Sequence, residues 1–344
     1  MSHSSTQRPG VHKDRYNYWP RLPGAALAFN IARFSETVDT LVVVASSARE
    51  YQLLADELDF FLEGSGKKIT SFPGWECLPY DRFSPHPEIV SERIRTLTEL
   101  GTGPTLLIIC PEQILFRLAE VSFIHSSAFA LAPGDTIDVD RFRTKLVDGG
   151  YLSVSKVISP GEFAVRGGII DVFPSGSEQP FRLDLFGSEI EQIRFFDPES
   201  QSSTGRSDSL TVLPAKEFPL DRAAIDFFRT NYRRIFSGDP QASLIYRDVS
   251  AGRLPAGIEF YLPLFFDQAG SLFDYLPKDS HWIVPDDLDD LLMREWAGLQ
   301  DRFEQCSVDK DHPPLPPKEL ALAPSEALGM LKDFPVTKIG RAHV

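Results

Sequence analysis

The segments of this chain with chemistry in them are a turn, two charged strings and one β-patterned stretch. The turn Leu22-Pro23-Gly24-Ala25-Ala26-Leu27-Ala28 leads into the first helix-like segment. In a nucleotide-binding α/β domain this is where glycines cradle phosphates and a lysine reaches the β- and γ-phosphates. Only Gly24 remains here and the lysine is missing. The loop reads as a degenerate phosphate loop, and no cofactor-binding residue is assigned to it. Gly64-Ser65-Gly66-Lys67-Lys68 has part of the same pattern. It lacks the first glycine at the required offset and a Ser or Thr after the lysine, and it follows a helix rather than a strand. It reads as a solvated turn. Asp56-Glu57-Leu58-Asp59 spells an acidic string that could hold a metal at the end of a buried strand. Its place in the middle of a helical pattern makes it a charged surface instead.

No nucleophile or metal system stands out. The seven histidines show no spacing of the HExxH kind. His86 sits in the rigid Ser84-Pro85-His86-Pro87 loop, and His125 and His281 adjoin apolar runs, so all three read as structural. The pairs Asp286-Asp287 and Asp289-Asp290 read as helix surface. No catalytic and no metal-ligating residue is assigned.

The stretch Gly161–Phe196 is more informative. Within Phe181–Phe186 the two-residue period of a strand places Phe181, Leu183 and Leu185 on one face and Arg182, Asp184 and Phe186 on the other. The first set is core-like. The second puts an arginine, a carboxylate and an aromatic on the face expected to meet solvent. Arg and Phe are enriched as anchors in protein interfaces. An exposed Arg–Asp pair with one apolar neighbour, worth little, satisfies the same pattern. The residue types admit both readings.

These residues must be held by two kinds of scaffold. From residue 22 to 132, helix-like and strand-like segments alternate. Ala25–Phe34, Ser46–Glu63 and Ile89–Leu100 are expected helices, with Ser46 or Ser47 capping the second. Thr40–Ala45, Lys68–Phe72 and Thr105–Cys110 are expected strands, and Pro111 opens a further helix. Alternation at this spacing indicates a doubly wound α/β unit. The pattern changes at Pro133-Gly134. A short helix, Asp140–Asp148, ends at Gly149-Gly150, and is followed by strand-like segments Tyr151–Ile158, Gly168–Phe173, Phe181–Phe186, Glu189–Phe196 and Ser209–Leu213. That is a small, mostly antiparallel domain. From Asp221 onward helices are expected at Asp221–Phe236, Gln241–Ser250 and Asp286–Phe303, and His312–Pro317 reads as an extended brace.

With 344 residues, 42% apolar and 24% charged, the chain can bury a sizeable core in two or three domains. Its longest apolar runs are far too short to span a bilayer, and the polar first twenty residues hold no signal-peptide core. Cys77, Cys110 and Cys306 are widely separated and form no CxxC pair, which suits a reducing cytoplasm. The 35 Lys and Arg against 49 Asp and Glu give a net charge of −14, the wrong sign for non-specific duplex binding. A local patch involving Arg21, Arg93, Arg95, Arg233 and Arg234 stays open.

The two ends differ from the rest. Residues 1–19 are expected to be a mobile polar lead-in. Ile339-Gly340-Arg341-Ala342-His343-Val344 back-translates to ATC GGA AGA GCA CAC GTC, the string of a common sequencing-library adapter. Natural coding is therefore expected to stop at about Lys338, with an ordinary polar tail as the other reading. The source nucleotide record separates the two.

Four runs carry a family resemblance. Gly74–Pro85 (GWECLPYDRFSP) and Gly161–Pro174 (GEFAVRGGIIDVFP) resemble two signatures of the bacterial transcription-repair coupling factor family, W-E-x-L-P-Y-D-x-F-S-P and G-E-F-x-x-R-G-x-x-x-D-x-F-P. Leu213–Pro219 (LPAKEFP) and Leu254–Glu259 (LPAGIE) agree as well. The resemblance covers about residues 20–335. It implies the N-terminal module of that family, which is similar to the repair protein UvrB. The implied fold is a degenerate P-loop, helicase-like parallel-sheet domain (20–132). An inserted β-rich α+β domain that recruits UvrA (133–214) and a mainly helical domain packed on the first (215–335) follow, with 336–344 as a tail. The implied complete protein is an ATP-dependent DNA translocase that displaces stalled RNA polymerase. Its motor, with ATP and magnesium, and its contacts to polymerase and DNA lie downstream.

The resemblance carries over three UvrA-contacting residues: Arg166, Arg182 and Phe186. On that reading both arginines pair with carboxylates of UvrA and Phe186 fills an apolar pocket. Arg182→Ala or Phe186→Ala is then expected to weaken binding at least about tenfold without unfolding the module. The competing expectation is a UvrB-like, nucleotide-dependent helicase fragment that retains ATP and DNA binding. The absent lysine near Gly24 opposes it. The short loop Pro79–Glu88 also leaves no room for the DNA-clamping hairpin of UvrB.

Overall fold

The computed structural model describes residues 17–20, 22, 24–65, 67 and 69–340. Pro23, Arg21, Gly66, Lys68 and Arg341–Val344, on which parts of the reading above fall, lie outside them. The first unit runs β1 (Asn17–Pro20), α1 (Ala26–Ser35), β2 (Thr40–Val44), α2 (Ala48–Leu62), β3 (Ile69–Ser71), α3 (Pro87–Glu99), β4 (Thr105–Ile109), α4 (Pro111–Leu115) and α5 (Val121–Ser127). β2 (TLVVV) and β4 (TLLII) are buried at every position, as expected of central parallel strands covered by helices on both faces. Ser47 caps α2 by accepting from Glu50 N, and Leu54, Leu58 and Leu62, four residues apart, face the sheet. The Asp56–Asp59 string lies in the middle of this helix, with Leu58 its buried member.

The second unit follows: β5 (Phe129–Leu131), α6 (Val139–Asp148), β6 (Leu152–Ser153), β7 (Glu162–Arg166), β8 (Ile169–Phe173), β9 (Phe181–Phe186), β10 (Glu189–Phe196), β11 (Ser203–Ser207) and β12 (Leu210–Val212). Six strands form one sheet in the order β11-β10-β9-β8-β7-β6, antiparallel except for the β6–β7 pair. β12 pairs instead with β5, in a separate two-stranded ribbon. The ribbon and α6 cover one face of the large sheet. Phe142 and Leu146 of α6 pack there with Phe163, Ile170, Leu183 and Ile193. Three strands, β5, β7 and β11, are not among those the sequence predicts. The strand expected over Tyr151–Ile158 is reduced to Leu152–Ser153.

The rest of the chain comprises α7 (Arg222–Ile235), α8 (Leu244–Ser250), a 3₁₀ segment (Ile258–Phe265), α9 (Leu272–Tyr275), β13 (His281–Pro285), α10 (Leu288–Cys306), α11 (Pro317–Leu320), α12 (Pro324–Leu331) and β14 (Val336–Gly340). Here the fold departs from a helical domain merely packed on the first. β13 and β14 enter the parallel sheet, whose order is β1-β14-β13-β2-β4-β3. The expected lead-in ends in a strand as well, since Asn17–Pro20 pairs in parallel with Thr337–Gly340. Lys338, the expected end of natural coding, falls inside β14, and Ile339 O accepts from Asp286 N at 2.9 Å.

His281 sits buried at the start of β13, edge-on to the Phe34 ring, with Nε2 2.8 Å from Thr337 Oγ1 of β14. Burial lowers its pKa below the ordinary value of 6.5. The folded state therefore favours the neutral ring. Its stability is full above about pH 6.5, the unfolded value, and is lost as pH falls toward and through the depressed folded value. Urea melts between about pH 8 and about pH 5 should show that decline, and His281→Gln should flatten it.

Candidate partner-binding surface

The large antiparallel sheet presents two hairpins at one end. β7 and β8 are joined by Gly167-Gly168, and β9 and β10 by Gly187-Ser188. Gly167 and Gly187 take φ of +59° and +64°, the left-handed region that two-residue hairpin turns require. The tips lie side by side: Leu185 N donates to Gly168 O at 2.7 Å. Arg166 and Phe186 therefore end β7 and β9, the two strands that flank β8, at the same end of the sheet. Phe186 is 82% exposed, more than any other aromatic among the described residues.

Behind the tips, the face away from α6 carries a polar cluster. Asp171, in the middle of β8, is fully buried. Arg182, directly opposite on β9, grips it with two bonds, Nε to Oδ1 at 2.7 Å and Nη2 to Oδ2 at 3.0 Å. Its third nitrogen, Nη1, donates to Gln201 O at 3.2 Å, and its plane lies 4.7 Å from the Phe196 ring centre. The Asp171 hydrogen bonds raise the Arg182 pKa further. Arg166 Nη2 reaches the same carboxylate from the other side. Next along β9, Asp184 pairs with Arg194 of β10, Nη2 to Oδ1 at 2.8 Å.

This geometry changes the expected roles. The face pattern of Phe181–Phe186 stands: Phe181 and Leu183 are buried and Phe186 is exposed. Both arginines already hold Asp171, but to different degrees of burial. Only 14% of the Arg182 side chain is exposed, against 49% for Arg166. Arg182 is thus a positioning residue. Arg166 is the cation a partner can reach. Removing Arg182 would strip a buried carboxylate of its two-point partner, so Arg182→Ala does not test an interface cleanly. Asp171 was missed as a member of the cluster. Its signal was a lone carboxylate inside the apolar strand Ile169-Ile170-Asp171-Val172-Phe173.

The other motif runs converge elsewhere, around the loop 72–86. Glu217 of the LPAKEFP run is 3% exposed and accepts from Arg93 Nε at 2.6 Å, Arg93 Nη2 (to Oε2) at 3.1 Å and Trp75 Nε1 at 3.1 Å. Glu259 of the LPAGIE run accepts from Ser84 Oγ at 2.7 Å and Lys216 Nζ at 3.0 Å. Gly257 takes φ +79°, and an added Cβ would lie 2.5 Å from Asp81 O. These motif residues bind the loop to the body of the molecule rather than to a ligand. Of the arginines left open as a basic patch, Arg93 is buried, Arg95 and Arg234 lie near Glu92 and Glu319, and Arg233 lies over the Tyr246 ring.

Gly24, at φ +55°, precedes α1, whose first turn has no side-chain cap. The cleft beside it, about 760 Å³, lies at the C-terminal ends of β2 and β13 and is rimmed by Glu50, Glu57, Asp286, Asp287 and Asp290. Lys67, from the phosphate-loop look-alike, instead donates to the backbone oxygens of Ser35 and Val38. Among the described residues no three His, Cys, Asp or Glu side chains are grouped to hold a metal, and no helix is long and apolar enough to cross a membrane.

A six-stranded parallel sheet with flanking helices, carrying a separate mixed sheet with paired glycine hairpins, defines a UvrB-like module; residues 129–218 match the family model of the UvrB interaction domain. Over nearly its whole length the chain is similar to transcription-repair-coupling factors. It is 38% identical to that of Escherichia coli K12 over 326 residues, which is 94% of this chain and 28% of the relative. The Haemophilus influenzae protein gives 38% over 95% of the chain, and the Bacillus subtilis protein 28% over 76%. The chain belongs to this family and corresponds to the N-terminal part of its members. It spans 28% of the length of the first two relatives.

Proposed function

We propose that this chain is the UvrA-recruiting part of a transcription-repair-coupling factor. The observation that carries the reading is Phe186, an exposed aromatic at one hairpin tip, with the reachable cation Arg166 at the neighbouring hairpin tip, within the segment that matches the UvrB interaction domain. An aromatic with an adjacent arginine on a rigid turn is the usual composition of an interface hot spot. Phe186 inserts into an apolar pocket of UvrA, Arg166 meets a carboxylate at its rim, and Arg182 holds the sheet beneath them through Asp171. In this reading the recruited UvrA starts excision repair where RNA polymerase has stalled. Translocation on DNA and polymerase displacement, with ATP and magnesium, belong to the longer protein.

A titration of the chain against purified UvrA tests this. Phe186→Ala should weaken binding at least about tenfold, within the range of a buried interface aromatic, with no change in melting temperature. Unchanged affinity would overturn the assignment.

One observation favours retained nucleotide binding. The cleft by Gly24 stands at the carboxyl ends of β2 and β13, where the sheet's connections diverge and α/β sheets commonly hold ligands. Its chemistry opposes that reading, because five carboxylates face the space that phosphates would enter. Saturable ATP binding by the isolated chain would favour the helicase-like reading, and a salt-dependent gel shift would favour DNA binding.

A further inference from the structure

A second cavity, about 380 Å³, lies between the loop that begins at Phe72, the end of α4 and one side of α10. Its size suits a small ligand. Trp75, Phe116, Phe260 and Leu299 form apolar walls. Three carboxylates line it: Glu76 from the loop, which is exposed, Glu112 from α4 and Glu295 from α10. Glu112 accepts one hydrogen bond, from Gln113 Nε2 at 3.2 Å. The Glu295 side chain has neither hydrogen bond nor ion pair.

Two arginines also line the cavity, and both are committed elsewhere. Arg93 is held by Glu217 and by Pro73 O, at 2.7 Å from Nη1. Arg302 is held by Asp81 Oδ1 and, at 3.2 Å, by Pro79 O. Neither arginine therefore forms an ion pair with Glu112 or Glu295, although Arg93 is near enough to act on Glu112. Burial, and then Glu295, hold the Glu112 carboxyl above its ordinary range. An anion would be repelled here, and the lining carboxylates are not grouped to hold a metal ion. An aromatic floor with a negative rim suits a cation that carries an apolar body.

We infer that this cavity binds an amphipathic cation: an ammonium or guanidinium head set between Glu112 and Glu295, with its apolar body against Trp75, Phe116 and Phe260. Such a group can come from a free amine or from an Arg or Lys side chain of a protein partner.

Calorimetric titration of the 344-residue chain tests the inference. The probes are phenethylamine, its neutral isostere 2-phenylethanol, and acetyl-Ala-Arg-Ala-amide. Phenethylamine should bind saturably, and the alcohol at least about tenfold more weakly, the scale of one charge-assisted contact. Tighter binding of the peptide would identify the source as a protein side chain, and tighter binding of the amine a free ligand. Glu295→Gln changes an exposed residue and should weaken the amine several-fold. Gly298→Leu adds a side chain to the cavity wall, where a Cβ meets nothing within 4 Å, and favours the helix. It should abolish binding with no loss of melting temperature. Equal affinity for amine and alcohol, no binding of either cation, or amine binding untouched by both variants would overturn the inference.

Discussion

Replacing Glu217 with alanine is expected to lower the unfolding free energy by about 3–5 kcal/mol, the usual loss when one member of a buried ion pair is removed. Glu217 and Arg93 are both almost wholly buried, at 3% and 4% side-chain exposure. The guanidinium stays charged at any ordinary pH. Without Glu217 it keeps one hydrogen bond, to Pro73 O, and its stacking on Phe72 and Trp75, 4.2 and 5.2 Å from the ring centres. Trp75 loses its only indole N–H acceptor at the same time. Glu217→Gln keeps an acceptor oxygen and should be milder. The pair Arg93→Met with Glu217→Leu removes both charges and should recover much of the loss, because the attraction in such a pair largely offsets its desolvation. Urea denaturation of the wild type and these three variants measures the losses, and hydrogen exchange over residues 72–86 should rise most in Glu217→Ala. A loss below about 1 kcal/mol would show that the pair does not clamp this loop.

That clamp marks where sequence reasoning stopped. β2 and β4 were legible because four consecutive apolar residues after a threonine need no partner to announce them, and α2 because Ser47 and the four-residue leucine spacing frame it. β13 (HWIVP) and β14 (VTKIG) were not. Each is short and opens or closes on polar, Gly or Pro residues. β13 becomes a strand only because β2 offers an open edge more than two hundred residues earlier in the chain, and β14 then pairs with β13 on one side and β1 on the other. The outward face of β9 was legible from the two-residue period alone. The sharing of Asp171 between Arg166 and Arg182 was not, because it depends on register. The tight Gly167-Gly168 turn sets Arg166 opposite Ile169 and Asp171 opposite Ala164, and β9 then brings Arg182 beside Asp171. The motif resemblance named Arg166 and Arg182 together without a common partner. Only the sheet shows that one supports the other.

Asp171→Ala is expected to lower stability by about 3–5 kcal/mol and to weaken UvrA binding as well, for a reason distinct from that of Phe186→Ala. Asp171 is fully buried and satisfies two guanidinium groups on neighbouring strands. Its removal leaves Arg182 charged, mostly buried, and held only by Gln201 O and the Phe196 ring. Arg166 loses the anchor that fixes it beside the hairpin tip. The β7–β8 and β9–β10 hairpins keep their backbone ladders, so the sheet loosens at its tip before it is lost. Asp171→Asn preserves shape and one acceptor oxygen and should fall between wild type and Ala in both measurements. Phe186→Ala, by contrast, should reduce affinity alone, since the ring is 82% exposed and supports nothing beneath it. Plotting melting temperature against UvrA affinity for the three variants separates the roles: the Asp171 variants should fall along a diagonal and Phe186→Ala along the affinity axis. An Asp171→Ala protein that melts like wild type yet fails to bind UvrA would make Asp171 a contact rather than a support. One that loses stability but binds normally would move the interface away from these hairpins.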